Sequence, residues 1–181
     1  MKGIIFGLTE EVVRGTYGED TWDGVLDRAG LDGVWTPLGN YPDEQLSRVV
    51  AAAAALLGVD RQTVLRTVAQ GAFPLLAQRY PHFFTPQDNT RDFVLTLNDV
   101  IHKEVFKLHP GATPPEFGFE QAAASLTLTY ASPRRLCWLA EGFLHGAAAH
   151  YGQTVTITQP ACMMRGEDRC LLHCVFADAP A

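Results

Sequence analysis

Two periodicities divide this chain, and that division constrains its fold more than any other feature. The first half carries helical spacing and helix stop signals. Period-two alternation begins only at Ser125, where Leu126 and Leu128 fall on one face and Thr127 and Thr129 on the other. Helices gathered in one half and strands in the other imply an α+β fold, a helical N-terminal half packed on a C-terminal antiparallel sheet with helices. The spacing predicts a helix over 4–17 stopped by Gly18, a second over 21–29 capped by Gly30, a loop over 36–41, and a helix from Pro42 to Leu57 closed by Gly58. Asp60 is placed to cap the next helix, which Gly71 and Pro74 are expected to interrupt before Tyr80 and Pro81 end it. Asn89 or Thr90 starts a long helix that carries His102 and ends at Pro110. Residues 111–115 read as a rigid turn. After the strand at 125–130 come a helix from about Pro133 to Tyr151, a strand over 154–158, a turn at 165–168 and a last strand over 170–176. No repeat, low-complexity tract or linker divides the chain, so residues 1–181 read as one domain.

Composition excludes several classes. A net charge of −6 argues against nucleic acid or an anionic membrane as the main partner. No apolar run is long enough for a membrane span, and the apolar N-terminus is too short for a signal peptide. A cytoplasmic protein is the expectation. There the four cysteines are thiols or metal ligands rather than structural disulfides.

Leu95, Asn98, His102, Val105 and Phe106 share one helical face, which points His102 inward. An inward neutral imidazole is either a hydrogen-bonded core group or a metal ligand, and on this segment alone the core reading is the simpler. His109 lies on nearly the same stripe but next to the terminating Pro110. Downstream, Tyr130-Ala-Ser132-Pro-Arg134 sets a phenol, a hydroxyl and a guanidinium on one side of an extended chain. Leu126 and Leu128 continue that face as an apolar floor. Such a surface suits a ligand greasy at one end and anionic at the other, although Ser132-Pro133 is equally a good helix N-cap.

Taken together, the start Met1-Lys-Gly-Ile-Ile-Phe-Gly7, the helix with Val100-Ile-His102, Gly111-Ala-Thr-Pro-Pro115 and the motif Tyr130-x-Ser132-x-Arg134 resemble the H-NOX family, the haem-nitric oxide/oxygen binding domains. The resemblance spans nearly the whole chain. It implies haem b with His102 as the proximal iron ligand and Tyr130, Ser132 and Arg134 at the propionates. Ile5 and Pro115 match positions that press on the macrocycle. Haem is an apolar disc with two carboxylates, and neutral imidazole is a usual axial ligand.

Oxygen-binding relatives carry a distal tyrosine that donates to bound oxygen. Counting on from Arg134, that position is Leu139, and its neighbours Trp138, Phe143 and Leu144 are apolar too. The resemblance therefore implies a pocket selective for nitric oxide against oxygen. Trp138, Tyr17, Tyr151 and Thr9 are the residues that could supply a hidden donor.

Cys137, Cys162, Cys170 and Cys174 form a third feature. Cys170 and Cys174 share a strand face, a turn at 165–168 brings Cys162 back, and four thiolates there fit a tetrahedral zinc. The spacing is not that of a zinc finger, and buried thiols acting as small hydrophobes are the plainer reading. The arrangement resembles an H-NOX subset whose four cysteines bind zinc and respond to oxidation.

The resulting expectation is a haem gas sensor, not an enzyme, that binds nitric oxide (and CO). It would regulate a separate histidine kinase or cyclic-di-GMP enzyme. The alternative is a zinc-thiolate redox sensor signalling through cysteine oxidation. A peroxidase is disfavoured because no distal acid–base histidine or arginine is in view.

Overall fold

The computed structural model describes residues 1–179. Four helices build the N-terminal half. Helix α1 spans Gly3–Tyr17 and ends where Gly18 turns to φ 91°. Helix α2 (Glu19–Ala29) ends on left-handed Gly30, whose N–H donates to the carbonyls of Leu26 and Asp27. Helix α3 (Asp43–Leu57) ends on Gly58 at φ 67°. Helix α4 (Arg61–Arg79) opens where the Asp60 carboxylate accepts from Thr63 N at 2.6 Å. Their facing stripes bury Phe6, Trp22, Val25 and Val49 in one core. Each such side chain contributes roughly 1.5–3 kcal/mol.

The expected interruption of α4 does not occur. The helix runs through both Gly71 and Pro74. Gly71 is a contact residue instead, since a Cβ there would lie 2.9 Å from a methyl of Val12 on α1. Pro74 sits beside buried Ala72 and Phe73, and packing on both sides holds the turn that local propensity would break.

The second half is a four-stranded antiparallel sheet in the order β1-β2-β4-β3. Its strands are β1 (Glu116–Gln121), β2 (Ser125–Ala131), β3 (Gln153–Thr158) and β4 (Cys170–Asp178). The alternation at Leu126, Leu128 and Tyr130 is realised, each side chain being buried. Strand β1 was not expected from the sequence; it is an edge strand in which only Phe117 is fully buried. Before β1 come a short helix α5 (Thr90–Leu95), a wide turn over Leu97–Ile101 and helix α6 (His102–Leu108). The long helix expected there is thus divided. Asn89 caps α5 by accepting from Asp92 N at 2.9 Å.

Helix α7 (Cys137–His150) covers the sheet and crosses α4 at very short range. The crossing depends on two glycines: a Cβ on Gly142 would meet the Arg66 carbonyl oxygen at 2.4 Å, and one on Gly146 would meet Phe73 Cβ at 2.5 Å. Helix α7 also begins later than Ser132-Pro133 would place it, with Leu136 at the N-cap. Ser132 lies in a turn, where its hydroxyl accepts from Arg134 N at 3.3 Å and Arg135 adopts φ 51°. Among the described residues no helix is long and apolar enough to cross a membrane.

Candidate functional site

His102 opens α6, directly after the wide turn. The turn is set by Val100 N and Ile101 N, which both donate to Thr96 O at 2.8 and 3.2 Å, and by His102 N, which reaches back five residues to Leu97 O. One residue is thereby added to the helical repeat, a device concentrated at functional positions. The imidazole is half-buried and stacks on Phe117 of β1, with ring centroids 5.9 Å apart at 25°. It makes no side-chain hydrogen bond among the described residues. Burial pushes its pKa down to about 4. Of the stripe expected around it, Leu95, Asn98 and Val105 are half-buried, but Phe106 is 52% exposed because the wide turn rotates the helix after it.

A pH dependence follows. The unfolded imidazole takes a proton near pH 6.5, the folded one only near 4. Between those values the unfolded chain binds the extra proton, so this group's stabilisation is complete above about pH 6.5 and declines as pH falls toward 4. An NMR titration of His102 in the haem-free protein is expected to show a midpoint near 4; a midpoint near 6.5 would mean the ring is solvated.

The rival His109 is buried too, yet it caps the far end of α6 and its Nδ1 has no partner. Burial and then the Lys2 charge lower its pKa. Lys2 occupies this corner by donating to Leu38 O at 2.7 Å and Pro110 O at 2.9 Å.

Phe117 pairs with Tyr130 in the sheet, and their rings are 5.9 Å apart. The Tyr130 oxygen accepts from Leu136 N at 3.0 Å. Burial raises its pKa, so the phenol keeps its proton. Tyr130 and Ser132 therefore act as acceptors toward backbone amides and retain O–H protons to donate. Arg134 donates Nε to Asp43 at 2.8 Å and its two terminal nitrogens to Thr113 O and Oγ1, both at 2.6 Å. That uses three of the five N–H groups a guanidinium carries. Burial would raise the Asp43 pKa, but hydrogen bonds from the Met1 amine and Arg134 outweigh it and hold the carboxyl below its usual range. Asp43 and Thr113 are participants the sequence reading missed; neither lies in a motif, and only the fold brings them to Arg134.

The remaining expected pocket residues lie on α1 and α7. Ile5 is half-buried on α1, as are Leu139 and Phe143 on α7, and Leu144 is buried. Ile5 and Leu139 pack against the same core, while Phe143 and Leu76 join the sheet core to the Leu8–Val12–Ala72 cluster. Pro115 is half-buried immediately before β1. Three of the possible donors are exposed or engaged: Tyr17 is 43% exposed, Thr9 donates to Ile5 O at 2.8 Å, and Tyr151 donates to Phe84 O at 2.8 Å. Trp138 packs against the same core as Ile5 and Leu139 and also lines a cavity with Cys162, Glu141 and Ile157.

The chemistry of these residues suits a haem: a neutral imidazole without a side-chain partner among the described residues, an apolar set on α1 and α7, and three side chains with N–H or O–H groups left to donate.

Three of the four cysteines converge. The sulfurs of Cys137, Cys162 and Cys170 lie within 4.8 Å of one another, with Cys137–Cys162 at 3.8 Å and Cys162–Cys170 at 3.9 Å. Two sulfurs on a tetrahedral zinc, each about 2.3 Å from it, would be about 3.8 Å apart. Cys174 stands outside this group, and its sulfur faces Leu172 O at 3.6 Å. Cys170 and Cys174 do share a face of β4, but four residues of extended chain separate them by about 13 Å. The four-sulfur set expected from the sequence is therefore a three-sulfur set in this geometry. His173, on the opposite face, bonds Thr127 at 3.0 Å. Burial pushes the Cys137 and Cys174 thiols up to about 12, and raises Cys170 as well.

Comparison with known proteins bears on the family and the fold. A family model described as Haem-NO-binding matches residues 2–159. The fold superposes on an H-NOX protein from S. oneidensis in the Fe(II)NO ligation state with TM-score 0.91 and 34% identity, covering 98% of this chain and 100% of that one. The H-NOX domain of Shewanella oneidensis in the Fe(II)CO state gives TM-score 0.88 at 34% identity, covering 98% and 99%. An Fe(II) unliganded H-NOX protein from K. algicida shares the fold at TM-score 0.88, with 24% identity and coverage of 100% and 99%. No curated protein matches this chain.

Proposed function

We propose a function from one premise: this chain belongs to the haem-NO-binding (H-NOX) family of haem-based gas sensors. On our reading, residues 1–181 form one cytoplasmic sensor domain that binds haem b and reports nitric oxide to a separate signalling protein. The observation that carries it is the half-buried His102 imidazole, neutral and without a side-chain partner among the described residues. Haem supplies an iron atom that binds diatomic gases. His102 would offer it a nitrogen lone pair; Tyr130, Ser132 and Arg134 would donate to its carboxylates, which would offset their desolvation. Ile5 and Pro115 would contact the ring.

Selectivity rests on Leu139, Phe143 and Leu144, and on the engagement of Thr9 and Tyr151 with backbone carbonyls. Bound oxygen is polar and needs a donor, whereas nitric oxide needs it far less. Leu139→Tyr is the test. The wild-type ferrous spectrum is expected to change under NO or CO but not under oxygen, and the variant to change under oxygen as well. A wild-type protein that holds oxygen without the tyrosine contradicts the selectivity.

The moving part is α6, held when His102 is coordinated and released when it is not. We infer that a histidine kinase or cyclic-di-GMP enzyme reads this change. Kinase activity that is identical with the NO-bound and unliganded sensor would remove that partner.

The three converging sulfurs favour a second, compatible reading, a zinc-thiolate redox site. Cys137, Cys162 and Cys170 would hold Zn²⁺, and the Cys137 and Cys170 thiols, whose pKa values burial raises, would release protons on binding it. Cys174 could join only if β4 bends between it and Cys170. We expect one zinc per chain by elemental analysis, lost in Cys162→Ser and kept in Cys174→Ser. Diamide should release the zinc and alter partner activity even in a His102→Ala variant; zinc retained under diamide would exclude the redox role.

A further inference from the structure

The wide turn before His102 is held to the sheet by one side chain. Asn98 Nδ2 donates to Phe117 O at 2.6 Å, and Phe117 N donates to Asn98 Oδ1 at 3.0 Å. Phe117 lies on β1, the edge strand, opposite Tyr130. Its N–H and C=O are thus taken by Asn98 from outside the sheet, where an edge residue would otherwise face water. A carboxamide carries one donor side and one acceptor side, so it can pair with a strand residue as a neighbouring strand would. Four residues later, the His102 ring stacks on the ring of the same Phe117. The turn that carries the imidazole is therefore registered on one residue of β1 twice, by an amide clamp and by a ring contact.

We propose that Asn98 is a positioning residue that limits the reach of His102, so that its clamp on Phe117 weakens the axial bond of His102 to haem iron. The assignment rests on the reading of His102 as that ligand. The clamp restrains the imidazole against β1. The His102 amide belongs to the turn whose side chain is fixed to β1, so the imidazole cannot advance without stretching the two Asn98 bonds or unwinding the turn. A histidine held back in this way makes a longer, weaker bond and is released more readily when the opposite face binds a ligand. Both polar atoms of the Asn98 side chain are taken by Phe117, so Asn98 acts through His102.

The test compares wild type, Asn98→Leu, Asn98→Asp and His102→Gly as purified haem proteins. Leucine removes both bonds at similar volume. Aspartate keeps the acceptor toward Phe117 N but cannot donate to Phe117 O, and so should give an intermediate result. Two readouts are used. The first is amide hydrogen exchange at Phe117, which reports the clamp without reference to haem. The second is the iron–histidine stretching band of the ferrous protein, with the fraction that keeps the histidine bond under NO. Asn98→Leu is expected to lose protection at Phe117, move the band to higher frequency, and raise the ratio of retained to broken histidine bonds at least about fivefold, the shift that even one of the two net hydrogen bonds supplies. Lost protection with an unchanged band and fraction overturns the proposal, as does a shift to lower frequency. If Asn98→Leu fails to fold, the same criteria are applied to Asn98→Asp. A band that persists in His102→Gly would instead overturn the ligand assignment, which separates the two failures.

Discussion

Replacing His102 with alanine is expected to abolish the axial histidine–iron band and the spectral response to NO that depends on it, with the fold retained. The expectation of a complete functional loss rests on the absence of a substitute. His109 is on the opposite end of α6, packed beside Lys2, and its position is fixed by the backbone bond from His109 N to Val105 O at 2.8 Å. Among the described residues no other histidine stacks on β1. The structural cost is small for a stated reason. The His102 side chain is half-buried and unbonded, so alanine removes the contact with Phe117 and also removes a desolvated imidazole. Thermal unfolding should therefore change by no more than about 1 kcal/mol at pH 7. Below pH 6.5 the haem-free variant should lose less stability than haem-free wild type, because the group responsible for that decline is gone. A variant that unfolds on purification would show that His102 is a core residue first, which is the simpler reading of its segment.

The largest expected loss of stability lies elsewhere, at Gly142. Gly142→Ala would set a Cβ 2.4 Å from the Arg66 carbonyl oxygen and 2.8 Å from both Arg66 Cα and Ala69 Cβ. Two of those three atoms are backbone, so no rotamer change relieves the overlap. Helices α4 and α7 would have to separate, opening the contact that joins the helical half to the sheet half. A penalty of about 1–3 kcal/mol is expected for overpacking of this kind. Urea unfolding would measure it against Gly152→Ala, whose Cβ meets nothing within 4 Å but whose φ of 65° carries a backbone cost of its own. If Gly142→Ala is no less stable than wild type, the helices are not as close as described.

The parts of this fold that sequence reasoning reached are those with local causes. Gly18, Gly30 and Gly58 end helices through their own backbone conformation, and Asp60 and Asn89 cap helices three residues away. The alternation of Leu126, Leu128 and Tyr130 survives because one face of β2 meets the core. Misreadings occurred where distant contacts decide. Pro74 stays helical because α4 is packed on both sides, and Gly71 looks like a breaker until Val12 is brought against it. Ser132-Pro133 has the form of an N-cap, yet the chain turns there to present Arg134 to Asp43 and Thr113. Strand β1 is short, acidic and at an edge, so its pairing with β2 supplies the order that its composition does not.

The candidate site divides in the same way. His102, Tyr130, Ser132 and Arg134 are legible as a motif at a fixed distance from a histidine segment. Their neighbours are not: Asp43 is 91 residues from Arg134 in sequence, and Asn98 reaches Phe117 only because the helix widens before His102. Among the cysteines, shared strand face was a sound inference for Cys170 and Cys174, but shared face does not imply shared position along the strand. Distance, rather than direction, leaves Cys174 outside the trio.

The most direct test of the account is an absorption spectrum of the purified, reduced protein, recorded anaerobically, under air and under NO. The account predicts bound haem, a ferrous spectrum unchanged by oxygen, and conversion by NO to a form in which the histidine bond is lost. A protein that takes up no haem when its supply is ample would contradict the account at its centre and leave the cysteine trio as the functional site.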